Sequence, residues 1–445
     1  MLRNLIFVLS FLSAISLLIA SCDPAAVQQE SSFDLIQSKI FTPSCAISSC
    51  HATESDAFYA QHQLILTAGK SYQNLVEVLS FNAAAKADGL LRVKSGDPEN
   101  SFLVHKLHSD GSHHVGNYGS PMPLGLPKLS FGQLEYIEQW IQAGAPLTGI
   151  TGDAALLDDQ TPQPDYFEPL AEPQSGFQVR VGPFTIAPEF EREFFTYMPL
   201  GNTQEIFVNR FEVKMRDNSH HFLIYDFKDN TPASAIPQND TFRDIRNPDG
   251  TLNNTITSAL GYHTFIAGTQ TPYSDFTFPA GVGLRVQANM KFDFNSHYVN
   301  KGTEPIVGEV YANIHTVPAA EVLHEAKTLN LGNLDIHIPA GERKTITKTF
   351  LTDKPINVFA LTSHTHKLGE LFVIQISGGV RDGEVVYENA DWHHPEIKLF
   401  DVPIQLNAGE GLTSIITYNN TTSAQVNFGL TSEDEMGIIF GYYYE

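Results

Sequence analysis

The stretch Phe359-Ala360-Leu361-Thr362-Ser363-His364-Thr365-His366-Lys367-Leu368-Gly369 decides how the C-terminal half of the chain is read. On a strand, residues two apart share a face, so His364 and His366 point the same way and can grip one ion. Ser432-Glu433-Asp434-Glu435-Met436 near the C-terminus offers Met436 as a soft thioether. Two imidazoles and a thioether favour Cu(I) over zinc or calcium. The competing reading, a surface strand with two solvated histidines, fits the apolar flank Phe359-Ala360-Leu361 less well.

The surrounding sequence has an all-β texture. Short alternating runs rich in Thr, Val, Ile, Phe and Tyr are broken by turn residues such as Asn247-Pro248-Asp249-Gly250 and Asp382-Gly383. The run is too long for one sandwich, so it predicts two tandem antiparallel β-sandwiches, over 177–322 and 323–445. Two more histidine clusters fall in the first: Asn218-Ser219-His220-His221-Phe222-Leu223-Ile224-Tyr225 and Asn295-Ser296-His297-Tyr298. Neighbours on a regular strand face opposite ways, so His220 and His221 can share an ion only at a strand end or bulge. His297 is the third candidate ligand, from a distant strand. The pair His393-His394 reads as a polar loop.

The region from Gly176 to Glu445 resembles the ascorbate-dependent type II copper monooxygenases, which include the peptidylglycine and dopamine hydroxylating enzymes. The likeness rests on His220-His221 before an apolar run and on Pro279-Ala280-Gly281-Val282-Gly283 ahead of His297-Tyr298. His364-Thr365-His366 and Asp434-Glu435-Met436 complete it. The resemblance implies two jelly-roll-like sandwiches with one copper each. By position, His220, His221 and His297 would hold an electron-relaying copper. His364, His366 and Met436 would hold the copper that meets oxygen and substrate, and so form the catalytic set. Two departures stand out. The module has no cysteine, and Thr362 occupies the place of an arginine that binds the peptide carboxylate in the amidating enzymes. A peptide C-terminus is therefore a poor candidate substrate.

Upstream, residues 147–176 are acidic and Pro-rich and read as a flexible linker. Before them lies Cys45-Ala46-Ile47-Ser48-Ser49-Cys50-His51. Two thiols just before a histidine read as covalent haem attachment, with His51 beneath the iron. The spacing is wider than usual, and a disulfide or a zinc site are the rivals. Ser120-Pro121-Met122-Pro123 follows, and then Leu129 to Ala145 reads as a capped amphipathic helix with a glycine stop. This order of parts resembles bacterial c-type cytochrome domains across Phe33 to Pro146. The resemblance makes Met122 the second axial ligand of one covalent haem c. His105, His108, His113 and His114 read as polar loop residues.

The N-terminus has a charged Arg3, an apolar run from Leu5 to Ala20, and Leu18-Ile19-Ala20-Ser21-Cys22, which resembles a bacterial lipobox. The expected arrangement is a lipoprotein signal over 1–21 and a cytochrome domain over 22–146 lipidated at Cys22. The protein would sit outside the cytoplasm, held to a membrane by its acyl anchor. A balance of 27 basic against 50 acidic residues gives a net charge of -23, which repels phosphate backbones and argues against nucleic acid. The whole reads as a multidomain chain: a small all-α cytochrome c domain, then two sandwiches. The expected function is copper-dependent hydroxylation of a C–H bond of a small substrate with O2. An upstream donor feeds the haem, and the haem feeds the His220, His221, His297 copper. The alternative is a non-catalytic electron-transfer or copper-binding haem protein.

Overall fold

The computed structural model describes residues 30–445 except 49, 57–58, 110–112, 114–117, 165–166, 394 and 430–433. The expected signal segment and Cys22 lie outside the described residues, as do His114 and His394. Among the described residues no helix is long and apolar enough to cross a membrane.

Residues 30–146 form a helical segment of short helices around its own core. Its longest helix, Phe131–Gln142, begins on a capping box: Ser130 accepts from the Gln133 amide and Gln133 reaches back to the Ser130 amide. It ends where Gly144 takes φ +96, a conformation that glycine adopts without strain. Its buried face, Leu134, Ile137, Trp140 and Ile141, packs on Phe33, Ile36 and Phe41. The Trp140 indole N–H donates to the Pro146 carbonyl at 2.9 Å.

The flexible linker expected after this segment is instead docked along it. Ser32 donates to the Thr151 carbonyl at 2.6 Å, and the Phe131 amide donates to that of Thr161. The Gln163 side chain is buried and bonds the carbonyls of Leu107 and Leu129. Further on, the carbonyls of Leu170 and Ala171 accept from Gln178 and Asn313 of the first sandwich. The Pro-rich sequence withholds helix and strand hydrogen bonding, so its polar groups are satisfied by both neighbours.

Both β units are sandwiches, as the alternation implied. In the first, a five-stranded sheet carries the histidine strands Ser219–Phe227 and Lys291–Asn300. It faces a sheet that contains Gly176–Ile186, Ile306–Val317 and Ile206–Met215. In the second, strands Ile356–His364 and Ile438–Tyr444 face a four-stranded sheet containing Gly411–Asn419 and Gly369–Ser377. The units are not independent. Strand His324–Gly332 pairs parallel with Val282–Val286 of the first and antiparallel with Ile438–Tyr444 of the second. One nine-stranded sheet thus runs through both. Phe359, Ala360 and Tyr442 of the second unit are buried in the core of the first. That seam fixes the facing surfaces on which the histidines sit.

Candidate metal centres on one cavity

The first histidine set is built by a bulge. In the ladder between Ser219–Phe227 and Lys291–Asn300, Ser219 pairs with Tyr298 and His221 with His297, which leaves His220 as the extra residue. The bulge turns His220 toward the side on which His221 and His297 already lie. Asn218, at φ +68, sets up the turn into it. One ligand atom from each of His220, His221 and His297 lies within 4.8 Å of the others. The Nδ1 atoms of His220 and His221 are 3.0 Å apart.

Neighbouring groups select which nitrogen of each ring faces inward. His221 Nε2 is 2.6 Å from Asn295 Oδ1 and 3.5 Å from Glu193. His297 Nε2 is 2.7 Å from Glu191 Oε1. With both Nε2 atoms engaged, Nδ1 is the nitrogen left for an ion, and outer partners of this kind fix tautomer and ring orientation. His297 Nδ1 is buried without a hydrogen-bond partner, and a coordinated cation would satisfy it. Burial pulls the His297 pKa down, but Glu193 and Glu191 outweigh it and the net shift is upward. Burial raises Glu193, yet His297 and His221 more than offset that and hold it down at about 2. Three imidazoles, two of them anchored by carboxylates, suit a divalent cation.

The second set is assembled differently from the expected strand. His364 is the last residue of its strand, and His366 lies in the turn beyond it. The two rings are 5.2 Å apart at 83° and do not stand side by side on one strand face. The turn is tight: a side chain at Gly369 would run into Thr365. His366 Nδ1 is 3.0 Å from the Asp434 carbonyl, and His364 pairs with Ile438 in the ladder. This register brings the loop of Met436 beside both histidines. Burial lowers the pKa of His364 strongly and that of His366 as well, so both rings stay neutral and able to ligate.

Glu435 organises this turn, and it was not singled out from the sequence. It is fully buried and accepts from the amides of Leu368 at 2.7 Å, His366 at 3.0 Å and Met436 at 3.3 Å. It therefore ties the histidine turn to the methionine loop. Burial pushes its pKa up to about 7 against those three amides. The only signal in the sequence was its place beside Met436.

His393 corrects another expectation. It lies in a loop of the second sandwich but is only 3% exposed, so it is no polar loop residue. Its ring centre is 4.6 Å from that of His220, and Trp392 is 6.1 Å from the same ring. The second sandwich thus closes over the first histidine set.

In the helical segment, His51 Nδ1 is 3.2 Å from the Leu64 carbonyl, which leaves Nε2 as the nitrogen able to ligate. Burial lowers the His51 pKa to about 4 and raises the buried Cys45 thiol to about 12. Cys45 and Cys50 are not joined as a disulfide. His108 pairs with Glu138 at 2.8 Å and stacks on His113 at 3.8 Å, and His105 is 2.9 Å from the Glu99 carbonyl. One cavity of about 1280 Å³ is lined by Cys45, Cys50, His51 and Met122, by the first histidine set, and by His364, His366 and Met436. The helical segment is held to it by bonds from the Met122 loop. The Gly125 amide donates to Asn218 Oδ1 at 2.8 Å, and its carbonyl accepts from the Lys301 amide. Lys128 pairs with Asp217 at 3.1 Å.

Residues 326–445 match the copper type II ascorbate-dependent monooxygenase family in its C-terminal domain. The match supports a copper-dependent monooxygenase module, an oxidoreductase that takes O2 and a substrate, and it covers His364, His366 and Met436. No curated protein matches the chain. Among solved structures, the chain is similar to the STIV MCP, at 8% identity and TM-score 0.28, over 60% of this chain and 96% of that one. It is also similar to PNGase F, a glycosylasparaginase from Flavobacterium meningosepticum, at 8% identity and TM-score 0.26, with the same coverage. Likeness at that level carries no argument.

Proposed function

We propose that the chain hydroxylates a C–H bond of a small molecule at the His364, His366, Met436 copper, with electrons relayed by the His220, His221, His297 copper from a haem held by the helical segment. The observation that carries this reading is the single cavity onto which all three residue sets open. In the net reaction the C–H bond becomes C–OH and the second oxygen atom leaves as water, with two electrons and two protons consumed. Copper supplies the oxygen chemistry, and a haem c bonded to Cys45 and Cys50 would supply electrons one at a time.

The protein's own residues orient and exclude. Glu191 and Asn295 present the Nδ1 atoms of His297 and His221 inward. Glu435 holds His366 and Met436 in one turn. His393 and Trp392 cover His220. On the helical side, the Leu64 carbonyl orients His51, and Met122 packs at the edge of the helical core on the same cavity wall. Docking through Gly125 and Lys128 makes donor and acceptor neighbours without a mobile tether. Lipid anchoring at Cys22 and a site of action outside the cytoplasm belong to this proposal and fit a module fed by an external reductant.

Metal analysis and an optical spectrum of the chain made with a haem-maturation system test the reading. The expected result is one iron and two coppers per chain, with haem retained on denaturing gels and lost in Cys50→Ser. Reduced protein mixed rapidly with O2 should reoxidise its haem through copper. Haem oxidation unchanged in His297→Ala would show that the relay does not run through that site.

A further inference from the structure

The wall beside His364 carries aromatic rings from both sandwiches, with Thr362 and Asn330 flanking Phe440 in the sheet. The Phe440 ring centre lies 6.4 Å from that of His364. Phe265, from the facing sandwich, packs on Phe440 at 4.5 Å. Ile438, paired with His364 in the ladder, lines the same cavity.

Among the described residues, most of the charged groups that line the cavity are committed elsewhere. Those that act on His364 are His366, His221 and Glu193, with no lysine or arginine among them. Arg92 and Lys106 of the cavity lining donate to backbone carbonyls within the helical segment. Arg246 acts on Glu191 and His297 at the first set, and Lys301 and Lys367 have partners of their own. Glu191 and Glu193 are taken up by His297 and His221, and Glu435 by backbone amides. A carboxylate or ammonium brought against Phe265 and Phe440 would lose its hydration without gaining a counter-ion. A neutral ring or alkyl chain gains contact with two aromatic faces.

We propose that the substrate taken beside His364 is an uncharged, largely apolar molecule, its reacting C–H bond lying against Phe265 and Phe440. This rests on His364, His366 and Met436 being the oxygen-reactive site. Ethylbenzene, 3-phenylpropanoate and phenethylamine share one ring and differ in charge. Their binding to the full chain is measured by ligand-observed NMR, with and without copper. Ethylbenzene should bind about tenfold or more tighter than either charged probe. Phe440→Ser should weaken it about tenfold and Phe440→Leu far less, with copper content unchanged. Phe265→Ser reads the same wall from the other sandwich should Phe440→Ser not fold. A charged probe that binds as tightly as ethylbenzene, or ethylbenzene binding indifferent to Phe265 and Phe440, overturns the proposal. A single bound copper, at the first set only, would instead remove the oxygen-site reading and leave the binding result standing.

Discussion

Replacing Glu435 by alanine removes the shared acceptor of three buried amides, those of Leu368, His366 and Met436. Stranding a buried donor costs about 1–3 kcal/mol, so the three together cost roughly 3–9 kcal/mol. A second effect opposes this and depends on pH. The folded pKa of Glu435 is about 7 against an ordinary 4.5, raised by burial. The group's favourable contribution is therefore full below its unfolded value and is lost as pH rises through its folded one. That difference is worth about 3 kcal/mol. Near pH 8 the alanine variant recovers this amount and should be roughly 3 kcal/mol less stable than wild type. Near pH 5 most of the recovery is gone, and the gap should widen by about 3 kcal/mol. Denaturant unfolding of the metal-free chain at both pH values measures the gap. Copper competition on the same variant should show weaker binding at the second site only, because the turn of His366 is no longer tied to Met436. An unchanged gap between the two pH values, or a variant as stable as wild type with both coppers bound normally, would refute the argument.

Met436→Leu should lower bound copper from two ions to one, with the EPR signal of the His220, His221, His297 site unaltered. Glu191→Gln removes the charged partner of His297 and should weaken copper at the first site by about 10–100-fold, measured by chelator competition, with the second site unmoved. His393→Ala should shift the EPR parameters of the first copper through His220 while circular dichroism stays the same; an unchanged spectrum would mean that the contact does not shape the site. Lys128→Ala, which loses the pair with Asp217, should slow copper-dependent reoxidation of the haem without lowering haem or copper content.

The sequence alone determined the all-β texture and the long helix, because their signals are local. Alternation marked the strands, Ser130 with Gln133 marked the start of the long helix, and acidic proline-rich chain marked the break between units. It also determined that His220 and His221 need a strand end or a bulge to act together, since neighbours on a regular strand face opposite ways. The bulge opposite His297 meets that condition. Tertiary structure decided the rest. No periodicity reveals that His324–Gly332 pairs with both sandwiches and so turns two units into one continuous sheet. The pair His393-His394 read as a polar loop, whereas His393 is buried with its ring against that of His220, far away in the chain. Gln163 and its surroundings read as a loose linker because proline withholds regular hydrogen bonding, yet the carbonyls of Leu107 and Leu129 supply partners once the helices have packed. Glu435 showed only its place beside Met436, since its three donors converge only when the turn after His364 meets the loop before Ile438. Chemistry that depends on residue type and short spacing is written along the chain; burial, facing surfaces and shared cavities depend on contacts between distant segments, which only the folded chain creates.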